Sequence, residues 1–160
     1  MRSESEVNQA IDKYANMVKR ICLVNLKNQQ DTEDVFQEVF IKYALKSPDF
    51  TSAEHEKAWL IRVTLNACRD LIKSFFRSKT VGIDQLLEQA APQIEKDYDL
   101  MKAVLELPRK YREVIYLHYY EEYKAADIGK ILNMKVNTVY SNLSRGRKML
   151  RESLGDQGDV

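Results

Sequence analysis

The sequence holds few of the residues from which enzymes build active sites and small secreted domains build cross-links. Its 160 residues include two histidines, two cysteines, five glycines and three prolines. Cys22 and Cys68 stand far apart with no histidine at ligand spacing, which predicts reduced thiols rather than a metal site or a disulfide. The sequence also has no glycine-rich phosphate loop and no Ser/His/Asp or Cys/His set. We therefore expect no enzyme activity, no catalytic residue, no cofactor and no metal.

A long apolar run is missing as well. The most hydrophobic stretch, ICLVNL, is interrupted by Asn25 and followed by Lys27, so it is too short to cross a membrane. The first residues, MRSESEVNQAID, have no apolar segment behind a basic start and do not read as a signal peptide. These two absences predict a cytoplasmic protein with no membrane insertion of its own.

Helical periodicity dominates what the sequence does contain. The chain is 44% hydrophobic and 31% charged with a formal net charge of +1, which is typical of a globular, helix-rich protein. Apolar residues recur three and four positions apart, and no segment alternates as a strand does. This spacing predicts helices at about Val7–Leu26, Asp31–Leu45 and Glu56–Phe76, the second capped by Asp31, with further helices from about Ile94.

The periodicity breaks at residues 79–94, which include Gly82 and Pro92. This segment predicts a flexible linker between two small helical domains, residues 1–78 and 95–160, in an all-α fold. A fully extended linker could span roughly 50 Å at about 3.3 Å per residue. One turn of duplex DNA is about 34 Å long, so the linker could reach further than one turn.

The stretch NMKVNTVYSNLSRGRKML, residues 133–150, belongs to a longer segment without any acidic residue, from Lys130 to Arg151. Its apolar residues form the seam of one amphipathic helix: Val136, Val139, Leu143 and Leu150. Its opposite face is polar: Asn137, Thr138, Ser141, Arg145 and Lys148. A face of this composition can donate to phosphates and base edges, from which carboxylates would be repelled.

The residues before this helix indicate how it meets its neighbour. Gly129 is small enough for a close crossing, and Asn133 tolerates the left-handed backbone of a tight turn. Val139 follows six residues later as a buried position. This order predicts a helix-turn-helix, and the acid-free face favours it over an ordinary helical hairpin.

Two separate parts of the chain resemble one known family. The segment LPRKYREVIYLHYYEEYKAADIGKILNMKVNTVYSNLSRGRKML resembles the promoter-reading C-terminal domain of bacterial sigma factors. DTEDVFQEVFIKYALK and AWLIRVTLNACRDLI resemble the N-terminal conserved domain of the same family. The resemblance covers about residues 7–152, with both motifs in the family's order. By this resemblance the chain is identified as an RNA polymerase sigma factor of the small extracytoplasmic-function (ECF) group.

The resemblance implies a transcription-initiation factor. Such a factor brings core RNA polymerase to promoter DNA, recognises the −10 and −35 elements and stabilises the melted strand. The resemblance also implies a bacterial cytoplasm and an anti-sigma factor that holds the protein inactive. Two alternatives remain at this point: a stand-alone helix-turn-helix regulator, and a sigma-like interaction module that does not read promoters.

The resemblance assigns roles within the N-terminal domain. The helix from Asp31 would dock on the largest polymerase subunit through Asp34, Gln37 and Glu38, unless its acids only suit the helix dipole. The loop Phe50–Glu56 would receive a flipped base of the −10 strand. The residues implied to bind this strand are Arg62, Asn66, Arg69 and Lys73. For Trp59 we expect packing in the core rather than stacking on a base.

The resemblance also assigns roles within the C-terminal domain. The residues implied to contact the −35 element are Thr138, Tyr140, Ser141, Ser144, Arg145 and Lys148. Arg145 is the best candidate for direct readout, because arginine can donate two hydrogen bonds to guanine. His118 either contacts a phosphate or is a neutral surface residue. A run of tyrosines is expected to pack between helices: Tyr111, Tyr116, Tyr119, Tyr120 and Tyr123.

Five residues depart from the family's pattern, among them Ala125 and Ala126, which replace a usual polar pair. Tyr140 and Asn142 stand where relatives often have lysine or arginine. Lys135 replaces a common serine or threonine, so the cap of the last helix should be weak or shift to Asn137. These departures predict low intrinsic affinity for DNA, as suits a protein that binds DNA as part of polymerase.

Overall fold

The computed structural model describes residues 1–74 and 98–155. Across those two ranges the regular structure consists of seven α-helices without a strand, which confirms the all-α prediction. The chain divides into two compact units, Met1–Ile94 and Glu95–Val160. The predicted linker at residues 79–94 lies outside the described residues.

The first unit contains three helices that contact one another pairwise: α1 (Glu4–Leu26), α2 (Gln29–Lys46) and α3 (Ala53–Ser74). Their inward stripes supply a shared core, whose fully buried residues include Val18, Ile21, Val39, Leu60 and Ile61. One stripe of each helix is thus buried, and the opposite side of each remains exposed.

The start of α2 differs from the prediction. Asn28, and not Asp31, is the cap, because its side-chain oxygen accepts the Asp31 backbone N–H at 3.0 Å. Lys27 adopts a left-handed conformation at φ 54°, which turns the chain sharply between α1 and α2. Asp31 itself lies buried in the first turn of α2. The prediction was wrong because Asn and Asp are almost equally good caps, and only the turn geometry distinguishes them.

The helix α3 begins three residues earlier than predicted, so residues 53–56 of the predicted loop Phe50–Glu56 are the first turn of α3 and the loop between α2 and α3 is residues 47–52. The Ser52 hydroxyl accepts the His55 backbone N–H at 3.1 Å and so caps the first turn. The helix is described as far as Ser74, and the predicted end at Phe76 lies outside the described residues.

Both cysteines lie in the core of this unit, Cys22 on α1 and Cys68 on α3, and both are free thiols. A hydrogen bond with the Cys68 thiol, together with burial, raises the pKa of Cys22 well above its ordinary value. A thiol with a raised pKa stays protonated and weakly reactive. The two thiols are free, as predicted, although no sequence pattern indicated that they are neighbours.

The second unit contains four helices: α4 (Tyr98–Leu105), α5 (Arg109–Tyr119), α6 (Ala125–Leu132) and α7 (Val136–Leu154). Pro108 precedes α5, as expected of a residue that suits a helix start. The helix α7 contacts each of the other three. Residues without solvent exposure, such as Met101, Val114, Ile128 and Val139, form the core of the unit.

The turn between α6 and α7 has the predicted geometry. Asn133 is left-handed at φ 54°, and its backbone N–H bonds to the Gly129 carbonyl. The Met134 N–H donates to the same carbonyl at 2.9 Å. A Cβ on Gly129 would lie 2.8 Å from the Met134 carbonyl oxygen, so only glycine fits there. The helix-turn-helix prediction agrees with this arrangement.

A second close approach seats α7 on α5. A Cβ on Gly146 would lie 2.8 Å from Cγ1 of Ile115, a fully buried side chain of α5. Asn142, on the same side of α7, is also buried, whereas Val136 at the start of the predicted seam is 40% exposed. The inward side of α7 is therefore rotated slightly from the seam that the apolar residues alone suggested.

The left-handed residue Asn133, in the turn between α6 and α7, provides a test of the fold. Replacing Asn133 by alanine should lower the free energy of unfolding of the second unit by about 1 kcal/mol, because alanine disfavours the left-handed backbone. Replacing it by glycine should leave stability unchanged or raise it, since glycine adopts that backbone without strain. Urea unfolding followed by circular dichroism would measure both.

The single tryptophan, Trp59, lies in the other unit and serves as the control. Its fluorescence transition should be the same in wild type and in both variants. Equal stability of the alanine and glycine variants would contradict the assigned turn.

Candidate nucleic-acid and protein interfaces

The outward face of α7 carries all six residues predicted to contact the −35 element. Each of them is exposed, and Tyr140 retains 60% of its surface. The side opposite is anchored by Val139, Asn142, Leu143 and Gly146. The predicted residues therefore share one solvent-facing surface, on a helix whose position is fixed by packing.

From Thr138 to Lys148 this surface presents cations and dipoles without carboxylates. No acidic residue occurs between Lys130 and Arg151 along the chain. Lys135 stands at the N-cap of α7 with no capping bond from its side chain, so the predicted weak cap is found and the alternative cap at Asn137 is not. The N–H groups at the start of α7 lack a side-chain cap and suit an anion such as a phosphate.

Arg147 lies near this face but serves the fold. Its Nε donates to the Tyr119 hydroxyl at 2.7 Å, and its guanidinium stands 5.7 Å from the centre of the Tyr119 ring. Arg145, two residues earlier, is exposed. The structure thus distinguishes Arg147, which packs on Tyr119, from Arg145, which is exposed.

The tyrosine run packs as predicted. The rings of Tyr116 and Tyr120 stack with centroids 5.5 Å apart, and the Tyr116 hydroxyl donates to Glu121 at 2.7 Å. His118 is half-buried, with Nδ1 2.9 Å from the Tyr123 carbonyl oxygen, to which a ring nitrogen can only donate. This bond fixes the end of α5 to the turn that precedes α6.

The outward face of α3 carries the residues predicted to bind the −10 strand. Arg62, Asn66, Arg69 and Lys73 recur at intervals of four, three and four residues, which places them on one helical stripe. Asn66, Arg62 and Lys73 are exposed and Arg69 is half-buried. Extending the same spacing backwards gives Trp59 and then His55, so the stripe continues towards the loop before α3.

That loop ends in a cluster of aromatic rings. Phe50 lies 6.1 Å from Tyr43, 5.8 Å from Trp59 and 5.1 Å from His55, measured between ring centroids. Trp59 is half-buried and also meets Tyr43 edge-on at 6.2 Å. The expected packing role of Trp59 is therefore found, and the base-stacking alternative is not needed to explain it.

A part-buried hydrogen bond stabilises this cluster. The Tyr43 hydroxyl donates to Glu56 at 2.6 Å. Burial, followed by this bond to the Glu56 carboxylate, raises the pKa of Tyr43 to about 12. The bond joins α2 to the first turn of α3 and fixes the two ends between which the loop runs.

The outward face of α2 carries the three residues predicted to dock on polymerase. Asp34, Gln37 and Glu38 are all exposed. The same face continues with Ile41 and Leu45, which are 58% and 56% exposed. These two apolar residues were missed, although their position outside the buried stripe of α2 marks them in the sequence. The face therefore combines polar groups with an apolar end.

Neither a metal centre nor a membrane span is found in the part of the chain that the structure describes. No group of three or more His, Cys, Asp or Glu side chains there could hold a metal ion. No helix among those residues is long and apolar enough to cross a membrane.

Comparison with known families gives two matches along the chain. Residues 10–77 match the family described as sigma-70 region 2, and residues 98–150 match sigma-70 region 4. The first contains the outward faces of α2 and α3, and the second contains the residues of α7 predicted to contact the −35 element. No family match includes the N-terminal residues before position 10.

Individual proteins resemble the chain over most of its length. The ECF RNA polymerase sigma factor SigW of Bacillus subtilis is 30% identical over 163 residues, covering 91% of this chain and 87% of SigW. The RNA polymerase sigma factor SigV of the same organism is 30% identical over 138 residues, covering 84% and 82%.

Two solved structures resemble the fold. The sigma factor RpoE, in complex with the anti-sigma factor NepR from Bartonella quintana, has a TM-score of 0.74 at 19% identity, covering 95% of this chain and 98% of that one. CnrH, in complex with the cytosolic domain of CnrY, has a TM-score of 0.71 at 22% identity, covering 97% and 91%.

Proposed function

The chain belongs to the ECF group of RNA polymerase sigma factors, and from that membership we propose a role for each of its three exposed helical surfaces. As a sigma factor it binds core RNA polymerase and directs transcription initiation at promoters. The observation that carries this conclusion is the match of region 2 and region 4, in that order, on one chain. A stand-alone regulator would leave the region 2 match unexplained, and it is not favoured.

The outward face of α2 is proposed to dock on the core polymerase. Asp34, Gln37 and Glu38 supply exposed hydrogen-bonding groups, and Ile41 and Leu45 supply adjacent apolar area. Exposed aliphatic side chains beside polar groups are the composition of a protein–protein contact with a dry centre and a polar rim. No feature of α2 itself requires large apolar residues at these two outward positions.

The outward stripe of α3 and the loop before it are proposed to hold the melted −10 strand. Asn66 offers both a donor and an acceptor, which the Watson–Crick edge of a flipped base requires. Arg62, Arg69 and Lys73 follow along the same stripe at spacings that suit a phosphate backbone. The aromatic cluster around Phe50 lies at the other end of this stripe, near the start of α3. We assign this work to the N-terminal domain, residues 1–78.

The outward face of α7 is proposed to enter the major groove at the −35 element. Its exposed residues near the middle of the helix, Tyr140, Ser141, Ser144 and Arg145, face the base edges, and Thr138 and Lys148 meet phosphates. The absence of carboxylates along this face supports the assignment. We assign −35 recognition to the C-terminal domain, residues 95–160, with residues 79–94 as the linker.

The partners follow from the same membership. We propose that an anti-sigma factor holds the protein inactive, since the similar sigma factor RpoE was solved in complex with the anti-sigma factor NepR. We place the protein in the cytoplasm, where polymerase acts, and assign it no catalytic activity and no cofactor of its own.

The docking surface can be tested with a double variant. Gln37→Ala with Glu38→Ala should weaken binding to core polymerase about tenfold or more, because two hydrogen-bonding groups are removed from the contact. Fluorescence anisotropy of labelled protein titrated with core polymerase would measure the affinity.

The matched control for this variant is Asn8→Ala with Asp12→Ala, which removes similar groups from the exposed side of α1. Helix content by circular dichroism should stay the same in both variants. Wild-type affinity in the Gln37/Glu38 variant would reject docking through these residues.

The role of Asn66 predicts a selective defect in strand opening. Asn66→Ala should slow open-complex formation more than it weakens the closed complex, because the base is available to Asn66 only after it leaves the duplex. A template melted in advance across the −10 element should restore most of the activity. Permanganate reactivity of unpaired thymines would report the opening.

Asn16→Ala on α1 is the matched control, since Asn16 is exposed and lies on another helix. This control should open the promoter at the wild-type rate. A defect of Asn66→Ala that the premelted template does not relieve would count against a flipped-base contact.

The role of α7 predicts different effects for two of its cations. Arg145→Ala should cost roughly 1–3 kcal/mol at a cognate promoter, concentrated at one −35 base pair, whose preference should relax. Lys148→Ala should weaken all promoters alike and reduce the salt dependence, because a phosphate contact carries no sequence information. Transcription from a panel of −35 base substitutions would separate the two.

Both variants leave the inward side of α7 intact and should unfold as wild type does. A uniform loss across the panel for Arg145→Ala would show that Arg145 does not read sequence. No promoter effect from either variant would support the interaction-module alternative.

A further inference from the structure

Arg2 makes an unusually dense set of contacts for a residue near the start of a chain. Its backbone N–H donates to the Ala44 carbonyl at 2.8 Å. Its guanidinium donates to the Ser47 hydroxyl and the Pro48 carbonyl, and it pairs with Glu6 at 3.1 Å. Only 17% of the Arg2 side chain remains exposed. These contacts join the residues before α1 to the end of α2 and to the chain that follows it.

The guanidinium also lies over two aromatic rings. Its central carbon is 4.9 Å from the ring centre of Tyr43 and 4.9 Å from that of Phe50. Those two rings stack on each other with an interplanar angle of 19°. Arginine can stack on rings and donate in its own plane at once, which a lysine ammonium cannot do. Arg2 therefore contacts the face of the Phe50 ring and donates a hydrogen bond to the Pro48 carbonyl.

The segment held in this way is the loop between α2 and α3. Its far end is fixed by the α3 cap, where Ser52 accepts from His55, and by the Thr51 backbone N–H, which donates to His55 Nδ1 at 3.2 Å. Its near end, residues 47–50, meets Arg2 through a hydroxyl, a carbonyl and a ring. Without Arg2, the near end would keep the Ser47–Tyr43 hydrogen bond and the contacts of the Phe50 ring.

We propose that Arg2 is a positioning residue for the −10 strand, which acts by holding the loop at residues 47–52 in its base-receiving shape before DNA arrives. This inference rests on the proposed role of that loop and of Asn66. Arg2 precedes the segment matched to region 2, so the family match does not assign it. A loop that is already ordered loses less entropy when a base binds, and an ordered pocket distinguishes bases better than a mobile one.

The first test needs no DNA and no polymerase. Trp59, the single tryptophan of the chain, packs on Phe50 with centroids 5.8 Å apart, so its fluorescence reports the loop. In Arg2→Ala, acrylamide should quench Trp59 more strongly and its emission should shift to the red. Helix content should not change, because Arg2 precedes the first residue of α1. Unchanged quenching would overturn the proposal.

The second test uses the holoenzyme assembled with core polymerase. Its probes are single-stranded −10 oligonucleotides, taken from a promoter mapped by transcription of genomic fragments, with each of the four bases at the flipped position. Arg2→Ala should bind the preferred oligonucleotide roughly tenfold more weakly and lose most of its preference among the four bases. Affinity for core polymerase should remain that of wild type.

Two further variants separate positioning from charge. Lys13→Ala removes a cation that lines a surface pocket together with Arg2, Tyr43 and Glu56 but lies over the Tyr14 ring at 5.3 Å, so this variant should bind all four oligonucleotides as wild type does. Arg2→Lys keeps the charge without the planar fork and should restore little of the base preference. Full restoration by lysine, or an equal loss for all four bases with a reduced salt slope, would mean that Arg2 only attracts phosphate and would overturn the proposal.

The behaviour of the wild-type holoenzyme distinguishes a failure of the loop's proposed role from a failure of the proposed role of Arg2. If the wild-type holoenzyme shows no preference among the four bases, the proposed base-receiving role of the loop is wrong. If wild type discriminates and Arg2→Ala discriminates equally well, the loop keeps its role and the positioning by Arg2 is wrong.

Discussion

Burial of one apolar stripe on every helix is the constraint from which the rest of this structure follows. Each unit is small, and small units bury a low fraction of their surface, so few inward positions can be given up to polar groups. Gly146 against Ile115 shows how closely the stripes approach, with a hypothetical Cβ only 2.8 Å from a buried side chain. The outward faces of α2, α3 and α7 are then free to take residues for binding alone.

Those parts of the fold that depend on local periodicity could be predicted from the sequence. The helices of the first unit and the turn at Asn133 follow from spacing and from the backbone preference of single residues. The start of α2 could not be predicted, because Asn28 and Asp31 are both good caps and the left-handed Lys27 decides between them. The burial of Asn142 was also hidden, since asparagine is mostly an exposed residue and its inward position comes from packing against other helices.

Contacts between residues far apart along the chain could not be predicted from sequence patterns. The Arg2 side chain meets Ser47 across a separation of 45 residues, and nothing in the spacing of either residue predicts that pair. The adjacency of the two buried thiols was hidden for the same reason. The candidate DNA residues, by contrast, were named from a resemblance. The geometry adds that they are outward-facing, and it separates the packing residue Arg147 from the exposed Arg145.

The distribution of charge explains how a chain with a net charge of only +1 can serve a polyanion. Cations are concentrated on two outward faces, and the outward face of α7 has no carboxylate before Glu152 in its last turn. The stripe of α3 changes in composition along its length, with aromatic rings near His55 and a cation at Lys73. These ends are about 27 Å apart at 1.5 Å per residue, which is enough for several nucleotides. The proposed base selection at the ring-lined end and the proposed phosphate attraction at the cationic end need different physical properties, and one helix can supply both because only its inward side is constrained by the core.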